Sequence, residues 1–283
     1  MTPRAFAVDI GGTKVDCAWV APDGVIEPIA RIETAAVGDN LFAAIVEAAL
    51  SVQWRSDDVV GVGCGGPMSM GGERVSPLNI PSWRSFPLRA ELARVLGRLV
   101  AVDNDAKALA LAEGRFGSAR HLSNYVAMVV STGVGGGIVL DRRLVDGRDG
   151  NAGHIGHIVV NPDGALCACG VRGCLEAEAS GTAIARHIGQ PASEANDDTR
   201  RRTGRMVGRA VAATASLLDV VDFFVAGSVA LGFGEPFFQA ANEEARRLVG
   251  LDFARTVTVS PSGLLNRGPI LGAACVEWRS LEA

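Results

Sequence analysis

The sequence predicts an α/β protein of two lobes, and three observations lead there. A short apolar strand that runs into a glycine turn and back into a second strand occurs twice, at residues 6–20 and 126–140. After each occurrence helical and strand periodicities alternate, the pattern of helices packed on a mostly parallel sheet. The chain is also 283 residues long, near the size at which one hydrophobic core stops growing and chains divide. Internal duplication accounts for the repeat most simply, although the two halves share pattern more than letters.

Taken in order, residues 6–10 read as a strand ending at Gly11-Gly12, residues 15–20 as its return strand, and Asp23-Gly24 as the next turn. Residues 41–50 carry helical spacing. Residues 59–64 are an apolar run closed by Gly65-Gly66-Pro67, hence a buried strand. A helix over 88–96, a strand over 99–102 ending in Asp103-Asn104-Asp105, and a helix over 106–113 complete the first half. The second half opens with a strand over 126–130, the turn at 131–137 and a return strand over 138–140. A long helix over 205–218 follows, then a buried strand over 223–226 ending in Gly227-Ser228. A helix over 237–249, a strand over 257–260 and a final helix over 270–278 close the chain. The small lobe is expected to span 1–104 with the C-terminal helix, 267–283, packing back on it, and the large lobe 105–266. Ligands of such folds sit beyond the carboxyl ends of the strands, which is where the motifs below fall.

Composition narrows the function classes. Hydrophobic residues make up 48% of the chain and charged residues 20%, as in ordinary globular proteins. A net charge of −4, no extended basic run and only 5% aromatics argue against a nucleic-acid partner. Arg200-Arg201-Arg202 follows Asp197-Asp198 and reads as a solvated loop or helix start. No apolar stretch is long enough to span a bilayer, and residues 5–8 are too short a core for a signal peptide. The expectation is a cytoplasmic protein with no membrane partner. Cys17, Cys64 and Cys275 lie in apolar surroundings and read as core thiols.

Two glycine loops carry the first chemical signal. Asp9-Ile10-Gly11-Gly12-Thr13-Lys14 places an acid at a strand end, then two residues without Cβ, then a hydroxyl and an ammonium. Glycines let backbone N–H groups approach phosphate oxygens, and Thr13 and Lys14 add donors. Asp9 suits Mg²⁺ held through water, because magnesium dehydrates reluctantly. The partner loop is Ser131-Thr132-Gly133-Val134-Gly135-Gly136-Gly137, whose glycines exceed what a hairpin needs. Neither loop has the Gly-Lys-Ser/Thr entry into a helix of the Walker pattern. Two such loops opening two related lobes suit a grip on a triphosphate from both sides. That is the arrangement of the actin/hexokinase-like (ribonuclease H-like) fold, with a cleft between the lobes.

Asn104-Asp105 ends a strand and opens a helix, so Asp105 is either an N-cap or a base that accepts a hydroxyl proton. The two roles are compatible, and Asp103 is the alternative if the register is off by two. Cys167, Cys169 and Cys174 offer three thiolates within eight residues. A closed tetrahedral zinc site needs a fourth ligand. His157 is the natural candidate and His154 its competitor. With no open position the zinc would be structural, bracing a loop that presents Glu176.

In order, the motifs 9–14, Asn104-Asp105, 131–137, Gly153-His154-Ile155-Gly156-His157 and Cys167-x-Cys169-Gly-x-x-Gly-Cys174-Leu-Glu176 resemble the ROK family, named for repressors, open reading frames and kinases. The resemblance runs from about residue 6 to 275. It implies an ATP-dependent sugar kinase, with Mg²⁺ and a structural Zn²⁺. It implies Asp105 as catalytic base, and Gly66, Asn79, Asn104, His154, His157 and Glu176 around the sugar. His157 also joins Cys167, Cys169 and Cys174 as a zinc ligand. Asp9, Gly11, Gly12, Thr13, Lys14, Thr132, Gly133, Gly135 and the turn Gly227-Ser228 fall to the nucleotide. A homodimer or homotetramer is implied as well.

Two departures matter. Family glucokinases usually carry glutamate where His154 stands, and a histidine there resembles bacterial N-acetylmannosamine kinases. Neutral imidazole offers one donor and one acceptor where carboxylate accepts twice, so the exchange should move sugar preference. The expected reaction is phosphorylation of the 6-hydroxyl of a hexose or N-acetylhexosamine. N-acetylmannosamine comes first and glucose is the alternative. The segment between Ser180-Gly181 and Arg205 is short and leaves the purine pocket and oligomer interface open. A repressor would carry a helix-turn-helix before the first loop, where only eight residues precede Asp9. A non-catalytic sugar sensor is disfavoured by the retained Asp105 and both loops. Polyphosphate is the alternative donor, ranked below ATP because no basic stretch suits a polyanion.

Overall fold

The computed structural model describes residues 2–77 and 80–282. The chain divides into two compact units. Unit one holds Met1–Ala112, Asp146–Ala152 and Arg267–Ala283; unit two holds Glu113–Val145 and Gly153–Asn266.

Unit one is built on a five-stranded sheet of β1 (Ala5–Ile10), β2 (Lys14–Val20), β3 (Ile26–Glu33), β4 (Val59–Cys64) and β5 (Val100–Asn104). The order is β3-β2-β1-β4-β5. The first three strands form an antiparallel meander, while β4 and β5 join β1 in parallel. Every residue of β4 is buried, as expected of a central parallel strand covered on both faces. Helices α1 (Thr34–Val37), α2 (Leu41–Leu50), α3 (Leu88–Leu96) and the N-terminal part of α4 (Asp105–Phe116) belong here. Strand β3 was not among the expected elements. Its sequence mixes Pro28, Arg31 and two glutamates on a half-exposed edge, which hides strand alternation.

Unit two repeats the plan with β6 (Tyr125–Val130), β7 (Val134–Leu140), β8 (Arg143–Leu144), β9 (Asp222–Ala226) and β10 (Thr258–Pro261). Its order is β10-β9-β6-β7-β8, with an antiparallel β6-β7-β8 meander and parallel β9 and β10. Counted from the meander edge, both sheets therefore run third, second, first, fourth, fifth. Its helices are α5 (Leu175–Ala179), α6 (Gly181–Ile188), α7 (Asp197–Leu218), α8 (Ser228–Phe233) and α9 (Glu235–Leu248). The core lies between the sheet and α7, with Val207, Ala210, Val211, Phe223 and Phe237 among its buried residues. Helix α7 begins earlier than its apolar spacing suggests. Asn196 caps it by accepting the Thr199 N–H at 3.0 Å, and Asp197 and Asp198 occupy the first turn. Arg200-Arg201-Arg202 is thus helical.

The last helix, α10 (Gly268–Glu282), returns to unit one and lies on β1, β4 and β5. Gly61 makes this close crossing feasible: a Cβ there would stand 2.1 Å from the Ala273 carbonyl oxygen. Among the described residues no helix is long and apolar enough to cross a membrane.

Candidate active site

In unit one the sheet gathers distant residues at the carboxyl ends of β1, β4 and β5. Register pairs Asp9 with Gly63 and Gly63 with Asp103, then Ile10 with Cys64 and Cys64 with Asn104. A Cβ on Gly63 would lie 3.8 Å from Asp9 Oδ1 and 3.7 Å from Asp105 Cα, so Gly63 stands between the two acids. Burial first, then the charges of Asp105 and Asp16, push the Asp9 carboxyl up to about 7. Burial also raises Asp105, against the stabilising Ala106 N–H, which Asp105 Oδ1 accepts at 2.9 Å. A site that collects two carboxylates this way favours a cation between or beside them.

The junction of β5 and α4 separates the roles of its three polar residues. Asn104 caps the helix, its Oδ1 accepting the Ala106 N–H at 3.0 Å. Asp103 is engaged in structure: its Oδ1 accepts the Asn104 N–H at 2.8 Å and pairs with Lys107 Nζ at 2.8 Å. Asp105 stands at the first position of α4.

The first glycine loop is a tight turn closed by Gly11 N–H donating to the Lys14 carbonyl at 3.0 Å, with Gly12 and an exposed Thr13 at its tip. Lys14 pairs with Asp16 at 3.2 Å, and Asp16 also takes Arg31 at 2.6 Å. Gly66 sits in the turn after β4. Asn79, expected near the sugar, lies outside the described residues.

In unit two the second loop is shorter than its glycines suggest. Strand β7 starts at Val134 and pairs Gly135 with Val129 and Gly136 with Met128, so only residues 131–133 form the turn. Thr132 and Gly133 are in that turn; Gly135 is in the strand. Of the extra glycines, Gly136 serves packing: a Cβ there would lie 3.0 Å from Ile155 Cγ2. A Cβ on Gly153 would fall 2.1 Å from the Gly136 carbonyl oxygen, and one on Gly156 2.2 Å from that of Val134. The 3₁₀ turn Ile155–His157 thereby lies directly on β7, with Ile155 buried beneath and the His154 and His157 rings 5.9 Å apart. The end of β9 meets the loop through Ser228, whose Oγ is 3.0 Å from Ser131 Oγ. Gly227 precedes it at φ +102, where a Cβ would lie 2.3 Å from the Val130 carbonyl oxygen.

Glu176 is tied to this loop, a link that sequence reasoning missed: its Oε2 accepts the Val134 N–H at 3.1 Å. Helix α6 adds Gly181 N–H to the Ser131 carbonyl at 2.7 Å and Thr182 Oγ1 to that of Thr132 at 3.1 Å.

His157, Cys167, Cys169 and Cys174 converge, their ligand atoms all within 4.8 Å of one another. Cys167 Sγ is 3.8 Å from His157 Nδ1, and Cys169 Sγ is 3.6 Å from Cys174 Sγ. A tetrahedral zinc with Zn–S of about 2.3 Å spaces its ligands about 3.7 Å apart, so the donor set fits. His157 rather than His154 completes the cluster, through Nδ1.

The sequence matches the ROK family model over residues 5–278. It is 40% identical over 191 residues to a glucokinase of Thermotoga maritima, covering 65% of this chain and about three fifths (60%) of that relative's length. It is 35% identical over 247 residues to an N-acetylmannosamine kinase of Yersinia pseudotuberculosis, covering 82% of this chain and 85% of the relative. Among solved structures, a ROK family glucokinase from Streptomyces griseus in complex with glucose and AMPPNP superposes with a TM-score of 0.84 at 31% identity, covering 96% and 98% of the two chains. With this match running almost end to end over two sheets of one topology, the chain belongs to the ROK family.

Proposed function

We propose that this chain is an ATP- and Mg²⁺-dependent sugar kinase that phosphorylates the 6-hydroxyl of a hexose or N-acetylhexosamine, with N-acetylmannosamine its preferred acceptor. The observation that carries the reading is the division of labour at the end of β5. Asn104 takes the helix cap and Asp103 a salt bridge, which leaves Asp105 as the carboxylate for the acceptor hydroxyl. In the proposed step Asp105 accepts the hydroxyl proton as the sugar oxygen bonds to the γ-phosphorus, and the bond to the β-phosphate bridge oxygen breaks to release ADP. Such transfers rely on positioning and charge neutralisation more than on covalent help from the protein.

Asp9 and the turn at Gly11, Gly12, Thr13 and Lys14 are assigned to Mg²⁺ and phosphate. Thr132, Gly133, Gly227 and Ser228 are assigned to the nucleotide. Gly66, Asn104, His154, His157 and Glu176 are assigned to the sugar, together with Asn79. A zinc ion held by His157, Cys167, Cys169 and Cys174 would be structural, since four protein ligands close its coordination shell. The names of the relatives support both N-acetylmannosamine and glucose; His154 in place of glutamate is what favours the first.

The test is ADP release with Mg-ATP against glucose, mannose, fructose, N-acetylglucosamine and N-acetylmannosamine. The expected result is the highest kcat/KM for N-acetylmannosamine. Preference for glucose would keep the kinase and make His154 a tolerated substitute. Absence of turnover on the whole panel would overturn the reading.

A further inference from the structure

We infer that Lys107 is a positioning residue for Asp105, acting through a charge quartet centred on its buried ammonium that pins the end of β5 to the segment Asp146–Ala152. The inference rests on the sugar-kinase reading for its rate readout, and on geometry alone for its structural one.

Lys107 lies on the first turn of α4 and is only 2% exposed. A buried ammonium is tolerated only when its donors are met, and here all three have acceptors. Nζ reaches Asp103 Oδ1 at 2.8 Å, Asp146 Oδ1 at 2.8 Å and the Gly150 carbonyl at 3.2 Å. Arg279, from α10, completes the group. It donates to Asp146 Oδ1 at 3.0 Å and Oδ2 at 2.5 Å, and its Nη1 is 3.6 Å from Asp103 Oδ2. Two cations thus face two carboxylates. Asp146 is held at about 2 by Arg279 first and Lys107 second, so it is charged throughout the working range.

The quartet touches the junction on both sides of the base. Asp103 also accepts the Asn104 N–H, so the ammonium orients the peptide that leads into Asp105. At its far end Lys107 holds residues 146–152, a segment also tied to Met68 through Asn151 Nδ2 at 3.0 Å. The chain passes from that segment through Gly153 into His154. Without the ammonium, Asp103 and Asp146 are left with one cation between them. Like charge then spreads the β5 end from the segment, and Asp105 loses its fixed line to a hydroxyl.

The experiment compares wild type with Lys107→Met, which keeps the buried stem, and Asp146→Asn, which keeps the shape. Misplacement of this kind costs on the order of 10–100-fold. We expect that loss in kcat for Lys107→Met, measured well below its melting temperature and with the KM for ATP within about twofold. Asp146→Asn is expected to lose less. A folded Lys107→Met protein with wild-type kcat overturns the inference, because a purely structural lysine lowers only the melting temperature. Should Lys107→Met not fold, unchanged kcat in Asp146→Asn overturns it instead. If wild type turns over none of the sugars, it is the kinase reading that fails. Hydrogen exchange then decides: faster exchange of amides 104–107 and 146–152 in Lys107→Met upholds the quartet as the pin, and unchanged protection overturns it.

Discussion

At the scale of single residues, three adjacent polar side chains, Asp103, Asn104 and Asp105, take different roles, although Asn104 and Asp105 share the Ala106 N–H. Asp103 meets Lys107 and Arg279, Asn104 caps α4, and Asp105 is desolvated at the end of the sheet. General-base catalysis contributes about 10²–10⁴-fold. Asp105→Asn should therefore lower kcat by at least that much while sugar affinity, read by calorimetry, stays within a few-fold. Near-normal turnover would reassign the base. A pH dependence follows with a definite sign. Burial raises Asp105 above its ordinary value of 3.8, so the carboxyl stays protonated to a higher pH than usual. A protonated base cannot take a proton, and kcat/KM should fall as pH drops through that raised value. An acid limb at or below 3.8 would show that another group is titrating.

At the scale of elements, glycines set how closely backbones approach. Gly61 admits α10 onto β4, and Gly153 admits the 3₁₀ turn onto β7. Gly61→Ala forces a methyl against a backbone carbonyl that cannot rotate away, and should cost about 2–3 kcal/mol in denaturant unfolding. Gly153→Ala adds strain at φ +97 to the same kind of clash. Because this turn carries His154 and His157, its loss should be seen in sugar KM more than in ATP KM. The cysteine loop belongs to this scale too. Cys169→Ser should lose bound zinc by elemental analysis and sugar affinity together; a variant that keeps full metal content would remove Cys169 from the ligand set. These motifs were legible in the sequence because their letters are local: Asp9 with its glycines and Asn104-Asp105 at strand ends, and the cysteines clustered within eight residues. The letters of 135–137 read as loop, yet these glycines belong to β7, since nothing local distinguishes a glycine that turns from one such as Gly136 that makes room for Ile155.

For the molecule as a whole, the two sheets share one strand order, yet α10 with its buried Glu277 belongs to unit one. Glu277 of α10 is 2% exposed, and its Oε2 has no hydrogen-bond partner among the described residues. Burial raises its carboxyl to about 7, against the Ser280 hydroxyl and the Ala101 N–H. In the unfolded chain the same group ionises near 4.5. Between those values the unfolded state gives up the proton and the folded state keeps it. This residue therefore makes stability fall as pH rises from 4.5 to about 7, with no further change above. Glu277→Gln should be the more pH-independent protein in that window by thermal melting. Parallel wild-type and mutant curves would show that Glu277 does not titrate there.

The sequence by itself determined the α/β class, the paired glycine loops, the acid at the end of β5 and the His/Cys cluster, because each is written in residues a few positions apart. Only the tertiary structure decided which acid is committed to a salt bridge and that Glu176 binds the Val134 N–H. It alone brought Asp146 and Arg279 to Lys107. Even the pairing of Asp103 with Lys107, four residues on, forms only because strand β5 hands over to helix α4 between them. Those contacts close only when strands and helices far apart in the chain have packed, and no local pattern of residues encodes a distance across the fold.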